Sequence, residues 1–251
     1  MGHGSSKTAY SRKEFHCLYP TGFELFFWNR FRTDKVYRLL RSFSPGEILD
    51  IGCGCGHIVK FLRDHGLEAE GCELSPDAEP CSPQIAPFYH SGVDACDLPP
   101  GKRAKFRTLL LLDVLEHLEK PELFLRSLVE KFPNCRNILV TVPAFMELWN
   151  DYADQTHFRR YTDASFDILL EQLPELKKVR SGYFFHSLYP VKLLIKNSEK
   201  SNRVKPVFGP VQRMVNSCAY YFFKAEDILL PGSWAGSSLF VLINVKNNAG
   251  R

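Results

Sequence analysis

The stretch that decides the fold spans residues 47–56 and reads Glu47-Ile48-Leu49-Asp50-Ile51-Gly52-Cys53-Gly54-Cys55-Gly56. It is a short apolar strand followed directly by a loop with glycine at every second position. Glycine adopts positive φ where a chain turns sharply, and it has no Cβ to hold a ligand away from the N–H groups that open the next helix. The stretch therefore predicts a strand, a ligand-binding loop and a helix in succession.

A second predicted strand, residues 68–73, ends in an acid, Glu73. In a nucleotide-type βαβ unit, an acid at this place binds the two ribose hydroxyls. The glycines follow the spacing G-x-G-x-G rather than G-x-G-x-x-G, and Asp50 precedes them inside the strand. A carboxylate there would attract the ammonium group of an amino acid and repel a pyrophosphate. The pattern therefore disfavours a nicotinamide cofactor.

Two later motifs complete the pattern: Asp94-Ala95 after a third strand and Leu112-Asp113-Val114-Leu115-Glu116-His117-Leu118 after a fourth. Together with the glycine loop they resemble the class I S-adenosylmethionine-dependent methyltransferases over roughly residues 45–180. The resemblance implies S-adenosylmethionine as cofactor, with its methionine half on the glycine loop, its ribose on Glu73 and its adenine beside Asp94. Asp97 is an alternative to Asp94, and Gly56 can serve helix–strand packing alone. The implied cofactor-binding residues are Asp50, Gly52, Cys53, Gly54, Glu73, Leu74, Asp94, Ala95 and Asp113.

Apolar runs that alternate with helical patterns predict an α/β fold, a Rossmann-like doubly wound sheet of about seven strands with the last one antiparallel. The strands are predicted at 47–51, 68–73, 87–90, 106–112, 136–142, 176–185 and 237–246, and the clearest helices at 57–65 and 121–131. A further helix should run from Asp163 to about Leu173. The helix after the second strand should be short or irregular, because Pro80 and Pro83 interrupt it.

The chain is predicted to form a single domain, residues 1–251, with a helical leader, a cofactor-binding core, an inserted helical cap and a last strand with a tail. These parts cover 1–44, 45–185, 186–235 and 236–251. The cap follows from the roughly fifty residues between the sixth and seventh strands, because that length is too great for a plain hairpin.

The insertion is aromatic and basic, which leaves three interpretations open: a lid over a hydrophobic acceptor, a membrane-surface patch or a dimer contact. The lid is favoured. Peripheral membrane contact through 186–230 is the alternative, because a basic set beside the apolar residues 193–195 would suit an anionic surface. That set is Lys192, Lys196, Lys200, Arg203 and Lys205.

The candidate catalytic residues follow the fourth and fifth strands: Asp113 and His117 after the fourth, and His157 after the fifth. An acid, then Glu-His, then a later histidine resembles the metal-assisted O-methyltransferases, including those of ubiquinone biosynthesis and the small-RNA 2′-O-methyltransferases. The resemblance implies a divalent cation on Glu116, His117 and His157, with Asp113 in place of a longer glutamate. Glu-His at this place also occurs in metal-free members, so a metal is not favoured, and His157 acting as a simple base is the alternative.

Arg159, Arg160 and Tyr161 resemble the H-x-R-R-Y segment of bacterial methyltransferases linked to polysaccharide, lipid-linked or natural-product pathways. The resemblance implies that the three residues bind the acceptor, and the planar arginine side chain suits carboxylate or phosphate. The alternative is a solvated helix entrance.

Composition excludes several classes of protein. With 251 residues, 45% of them hydrophobic and 24% charged, the chain predicts an ordinary globular protein. The net charge of +4 is spread along the chain and gives no strong nucleic-acid signal. No apolar run suits a membrane span, and residues 1–7 lack the apolar core of a signal peptide, so a cytoplasmic location is expected. The eight cysteines form no C-x-x-C pair, which predicts reduced thiols rather than a zinc site.

These features predict an S-adenosylmethionine-dependent methyltransferase that acts on a small-molecule, saccharide or lipid-linked acceptor, with oxygen as the favoured acceptor atom. The alternative is a catalytically silent partner subunit that binds the cofactor. The oligomeric state stays open.

Overall fold

The computed structural model describes residues 15, 18–20, 22–151, 154–195 and 209–246. Their sheet has seven strands, and each predicted strand is present with its ends within two residues of the prediction. The strands are β1 (Ile48–Ile51), β2 (Ala69–Glu73), β3 (Tyr89–Ser91), β4 (Thr108–Leu112), β5 (Asn137–Pro143), β6 (Leu176–Phe184) and β7 (Ser238–Val245).

The strand order is β3-β2-β1-β4-β5-β7-β6. The first five strands are parallel, whereas β7 runs antiparallel between β5 and β6. The predicted Rossmann-like sheet with an antiparallel last strand is therefore confirmed. Strands β1 and β4 are buried along their whole length, as expected of parallel strands covered on both faces.

Seven α-helices flank this sheet within the described residues. They are α1 (Phe27–Arg41), α2 (His57–Asp64), α3 (Pro100–Arg103), α4 (Pro121–Lys131), α5 (Asp163–Glu171), α6 (Leu188–Ile195) and α7 (Pro210–Leu229). Between β2 and β3 the structure has a 3₁₀ helix, Pro83–Phe88, with a second proline at Pro87. This agrees with the irregular connection predicted there, since proline blocks a regular helix.

The apolar core consists of two layers, one on each face of the sheet. One layer joins the sheet to α4 and α5, for example through Leu128 and Phe166. The other joins it to α1, α2 and α7, through residues such as Phe31, Leu62 and Phe223. The helical leader is thus part of the core, because α1 contributes fully buried side chains.

The insertion between β6 and β7 contains α6 and α7, and the four cations predicted at positions 196, 200, 203 and 205 lie outside the described residues. Helix α7 packs on α1, where Asp227 accepts hydrogen bonds from Lys35 (2.6 Å) and Arg38 (2.9 Å). In the described part of the chain, each helix is too short or too polar to cross a membrane.

Candidate active site

The glycine loop after β1 turns sharply and is covered by the leader. Gly52 and Gly54 have φ of 72° and 56°, values at which a side chain would be strained. A Cβ atom on Gly54 would collide with the phenol of Tyr19. The space above Gly54 is thus shared with an aromatic ring of the leader, which the sequence alone did not indicate.

Glu73 lies at the end of β2, next to the glycine loop. Its two carboxylate oxygens accept hydrogen bonds from the backbone N–H groups of Gly54 (2.9 Å) and Ser75 (3.1 Å). These bonds fix the carboxylate, and a carboxylate has about four lone-pair sites, so it retains capacity for further donors. The position suits the ribose-binding role predicted for Glu73.

Asp50 is buried, and its Oδ1 has no hydrogen-bond partner among the described residues. Burial raises the pKa of Asp50 from 3.8 to about 7, although nearby Arg32 acts in the opposite direction. A buried, unpartnered carboxyl oxygen costs free energy that a donor from a ligand would recover. The site beneath the glycine loop therefore fits a ligand that carries an ammonium group.

The remaining predicted cofactor residues occupy different surroundings. Leu74 is 41% exposed directly after Glu73. Asp94 is exposed and accepts a hydrogen bond from the Cys96 N–H (2.8 Å), and Ala95 beside it is buried. The Cys53 side chain points into the core toward Gly71, so only its backbone is available to a ligand.

Arg32 on α1 forms an ion pair with Asp113, directly after β4. Asp113 has a φ of 59°, its N–H donates to the Thr141 carbonyl (2.8 Å), and its other carboxylate oxygen accepts from the Thr141 hydroxyl (3.1 Å). Sequence reasoning missed Arg32. The signal was present as a cation within an aromatic helix, but its partner lies 81 positions away.

Glu116, His117 and His157 converge beside this ion pair, and we call them the acid–histidine cluster. Their ligand-capable atoms all lie within 4.8 Å of one another. They converge because β4 and β5 are neighbours and end at the same edge of the sheet. The Phe158 N–H also donates to the Glu116 carbonyl (2.7 Å), which ties the two connecting segments together.

Hydrogen bonds orient both imidazoles of the cluster. His157 Nδ1 lies 2.5 Å from Asp154, and His117 Nδ1 lies 3.2 Å from the Thr156 carbonyl. The Asp154 carboxylate can only accept, so the proton of this hydrogen bond lies on Nδ1 of His157, whereas Nδ1 of His117 also lies 3.1 Å from the Thr156 hydroxyl. Both carboxylate oxygens of Glu116 lack a partner among the described residues.

The electrostatics of the cluster favour a cation. Burial, and then the Asp113 carboxylate, raise the pKa of Glu116 well above its usual range. Burial, and then neighbouring His157, lower the pKa of His117, which keeps its imidazole neutral. A carboxylate and neutral imidazoles with second hydrogen-bond partners are the donor set of a protein metal site. The residues present therefore fit a divalent cation.

The arginine segment after His157 is mostly engaged inside the protein. Arg160 is buried and binds Asp154 (2.9 and 3.1 Å) and the Ala144 carbonyl (3.1 Å). Arg159 donates to the carbonyls of residues 118 and 119 (3.2 and 2.6 Å). Tyr161 is 3% exposed, and its hydroxyl donates to the Leu115 carbonyl (3.3 Å).

These contacts correct the prediction for Tyr161, whose side chain is too deeply buried to bind an acceptor. Arg159 is half-buried and supports the turn after Glu116, and acceptor binding stays a prediction for this residue. The alternative of a solvated helix entrance is wrong for Arg160, whose guanidinium holds the partner of His157 in place. Arg160 also lines a cavity beside α1, so acceptor binding stays a prediction for this residue.

Two cavities border the site. The larger, about 580 Å³, lies between the leader and the glycine loop and is lined by Tyr19, Cys55 and His57, among others. Burial lowers the pKa of His57 to about 3, and neither of its ring nitrogens has a partner within the described residues. The smaller cavity, about 350 Å³, is lined by Phe26, Phe27, Trp28, Leu148, Asn150, Arg160, Leu188, Val191, Lys192 and Ile195.

Comparison with known proteins identifies the family. Residues 27–173, which include α1, the glycine loop and the acid–histidine cluster, match a family model described as a methyltransferase domain. The chain belongs to the methyltransferases. Within this family the class I, S-adenosylmethionine-dependent type predicted from the sequence is confirmed.

Two curated relatives match part of this methyltransferase. Over 119 residues it is 33% identical to the mitochondrial ubiquinone biosynthesis O-methyltransferase of Schizosaccharomyces pombe. This alignment covers 43% of the chain and 42% of the relative. It is 32% identical over 97 residues to norajmaline N-methyltransferase of Rauvolfia serpentina, which covers 35% and 32% of the two chains. The matched stretches thus span less than half of either relative.

A solved structure shows the same fold. The magnesium protoporphyrin IX methyltransferase of Synechocystis PCC 6803, with bound SAH, superimposes with a TM-score of 0.52 and is 16% identical. The alignment covers 93% of this methyltransferase and 97% of that chain.

Proposed function

We propose that this methyltransferase methylates a hydroxyl oxygen of a small or lipid-linked acceptor that carries an apolar group. The observation that carries the proposal is the acid–histidine cluster, which lies next to the glycine loop. The two are adjacent because β1 and β4 are hydrogen-bonded neighbours, and the Val114 side chain lies against the place where Gly52 would carry a Cβ.

The cofactor side of the proposal rests on three carboxylates. Asp50 would pair with the cofactor ammonium group, Glu73 would accept from the ribose hydroxyls, and Asp94 would accept from the adenine edge. S-adenosylmethionine supplies the methyl group on a positively charged sulfur. Much of the rate gain would come from holding the acceptor oxygen against this group in a site without water.

The acceptor side rests on the acid–histidine cluster and Asp154. A divalent cation held by Glu116, His117 and His157 would lower the pKa of an acceptor hydroxyl. Asp154 holds the His157 ring in orientation, and hydrogen bonds from His157 and Arg160 outweigh burial and lower the pKa of Asp154. In the absence of a cation, the same Asp154–His157 pair could accept the hydroxyl proton directly, through Nε2 of His157.

The apolar part of the acceptor would occupy the cavity of about 350 Å³ between α1 and α6. Its aromatic and aliphatic walls suit a ring or a hydrocarbon chain, and Lys192, stacked 4.6 Å from the Trp28 ring, adds one positive charge. Asn150 and Arg160 join this cavity to Asp154 and hence to His157. On this proposal, α6 is the part of the inserted cap (186–235) that encloses the acceptor, and the described part of the leader, such as Tyr19, covers the cofactor.

The test is product formation. The purified protein is incubated with S-adenosylmethionine and matched acceptors that carry a hydroxyl, an amine or no heteroatom on one apolar ring, and S-adenosylhomocysteine release is measured. Turnover is expected with the hydroxyl compound only. A preference for the amine would overturn O-methylation, and cofactor binding without turnover on any acceptor or metabolite fraction would favour the silent partner subunit.

A chelator then separates the two versions of acceptor activation. If a cation acts, activity should vanish with EDTA and return with Mg²⁺ or Mn²⁺, which bind carboxylate oxygens and water. If His157 is the base, EDTA should have no effect. His157→Ala should then lower turnover by about 10²–10⁴. The cytoplasm remains the proposed location, which cell fractionation would test.

A further inference from the structure

Helix α7 has its polar contacts on the face toward α1. Its Asn216 side chain accepts a hydrogen bond from the Phe27 N–H (2.9 Å), and its Asp227 pairs with Lys35 and Arg38. The Glu226 carboxylate on the same side accepts from the backbone of His186 (2.8 Å). These contacts fix the rotation of α7, so the residues on its opposite face point away from the protein.

The opposite face of α7 is a continuous apolar stripe, which we call the α7 stripe. Its nine residues are all exposed; Ile228 and Leu229, for example, are 71% and 77% exposed. At 100° per residue they fall within an arc of roughly 140°, directly opposite the face on α1. They repeat every seven residues as Val211, Cys218 and Ala225; Met214, Tyr221 and Ile228; and Val215, Phe222 and Leu229.

The pattern matches a helix that packs against another helix. Apolar residues at three positions of a seven-residue repeat form the stripe by which a helix faces a core or a partner helix. No described residue of this chain covers the α7 stripe. From the exposed fractions and usual side-chain areas, the stripe presents roughly 900 Å², against about 800 Å² per partner in a standard interface.

The shape of the stripe is self-complementary. The row of Val211, Cys218 and Ala225 runs along its centre and contains the two smallest residues of the stripe, Cys218 and Ala225. Larger side chains form a ridge on each side of that row. Two such helices can approach closely along their small rows while the ridges interdigitate, as ridges pack into grooves at helix interfaces. A lipid surface has no ridges that could fit into the groove between the two ridges of the stripe.

The charges of α7 also argue against a lipid surface. A helix bound to an anionic membrane carries Lys and Arg along the borders of its apolar face. Within Pro210–Leu229 there are two cations, Arg213 and Lys224. Lys224 lies 3.6 Å from Asp34 of α1 and donates to the Tyr220 hydroxyl (3.3 Å). The stripe itself carries no charge along its length.

We propose that the α7 stripe is a dimer interface, in which α7 pairs with α7 of a second copy of this chain. The copies are related by a two-fold axis, since one patch that fits itself gives a closed dimer. The two helices run antiparallel, so the positive N-terminus of each lies beside the negative C-terminus of the other.

The first test is the mass of the full chain in solution by sedimentation equilibrium. Wild-type protein should have twice the chain mass of 28.8 kDa. Phe222→Glu should weaken dimerisation at least about 100-fold, because it buries an unpaired charge in the interface. Ile168→Glu is the matched control, since Ile168 is 61% exposed on α5, away from the stripe. This control should remain dimeric.

The second test uses the cysteine in the stripe. Antiparallel pairing brings the two Cys218 thiols near one another, so a short bis-maleimide should link two chains. Cys218→Ser should abolish the link, whereas Cys81→Ser, at another exposed cysteine, should not. A monomeric wild type, or a dimer that Phe222→Glu leaves intact, would overturn the proposal. A monomer that binds anionic phosphatidylserine vesicles through the stripe would replace it with a membrane contact.

Discussion

The guanidinium of Arg32 and the carboxylate of Asp113 join the leader helix to the end of β4. Asp113 lies between the glycine loop and the acid–histidine cluster. The ion pair therefore links helix α1, which covers the site, to the end of β4, which forms its base. The side chains are 14% and 35% exposed, and the pair is thus partly shielded from water.

Loss of this ion pair should destabilise the protein. We expect Arg32→Gln to lower the free energy of unfolding by about 1–2 kcal/mol, more than a surface pair contributes and less than a fully buried one. Urea denaturation measures the change. Arg41→Gln, at the exposed end of α1, is the control and should change stability by less than about 0.5 kcal/mol. Additive effects of Arg32→Gln and Asp113→Asn would show that the two residues do not interact.

The raised pKa of Asp50 should make cofactor affinity depend on pH. Since the pKa is about 7 in the free protein, Asp50 is protonated below that pH and cannot attract an ammonium group. Affinity for S-adenosylmethionine should therefore rise with pH through about 7 and level off at higher pH. Calorimetry from pH 5.5 to 8.5 measures it. Asp50→Asn should bind weakly without this dependence, and Asp64→Asn, at the exposed end of α2, should behave as wild type.

The free energy of unfolding of the cofactor-free protein should change with pH in the direction opposite to the cofactor affinity. Because the folded protein holds the Asp50 proton more tightly than the unfolded chain, this group makes the fold less stable as pH rises from about 4 to about 7. Asp50→Asn should remove that contribution, which thermal unfolding at several pH values would reveal. A wild type and a variant with parallel pH profiles would contradict the raised pKa.

Glu73→Ala should weaken S-adenosylmethionine binding by about 2 kcal/mol, roughly 30-fold, because hydrogen bonds to a charged acceptor are lost. The KM of the acceptor should stay nearly constant. Glu68→Ala serves as the control, since Glu68 is 76% exposed just before β2. If the acceptor KM rose while cofactor affinity held, Glu73 would belong to the acceptor site instead.

Glu116→Gln should have opposite effects on the stability of the metal-free protein and on the binding of Mn²⁺. The buried, unpartnered carboxyl of Glu116 costs free energy in the metal-free protein, so the neutral amide should raise its stability by about 1 kcal/mol. Saturating Mn²⁺ should stabilise the wild type by about 2.7 kcal/mol at 100 times its Kd, and the variant much less. Differential scanning calorimetry measures both. Exposed Glu119→Gln is the control, and equal Mn²⁺ stabilisation of Glu116→Gln would argue against the cation site.

Tyr161→Phe tests the structural role given to that residue. The variant loses one hydrogen bond to the Leu115 carbonyl, which should lower stability by about 1 kcal/mol. The acceptor KM should not change, because the side chain does not line either cavity. A large rise in KM at constant stability would restore Tyr161 to the acceptor site.

The sequence predicted the sheet closely because its signals are local. Strands β1, β4, β5 and β7 are mainly apolar runs, and β4 at Thr108–Leu112 is buried at every position. The convergence of the acid–histidine cluster could also be predicted from the sequence, because the ends of parallel strands meet at one edge of the sheet. Arg32 and Tyr19 were missed, since they contact Asp113 and Gly54, residues distant in the chain that no local pattern identifies.

The misassignment of Tyr161 has a similar cause. Tyr161 was assigned to the acceptor because of its chemistry, but whether a polar side chain faces a ligand or a backbone carbonyl depends on burial. The same holds for α7, whose seven-residue repeat is visible in the sequence. Only the fold shows that this repeat faces outward while the polar face packs on α1.

The position of β7 affects the order in which the chain can fold during translation. Strand β7 fills the gap between β5 and β6, yet it is the last of the seven to leave the ribosome. Until residues 238–245 emerge, β5 presents an unpaired edge and β6 has no neighbour in the sheet. An open edge of this kind invites pairing with other nascent chains. The half of the sheet that carries the glycine loop can assemble early, whereas the half formed by β5, β7 and β6 must wait for the final strand.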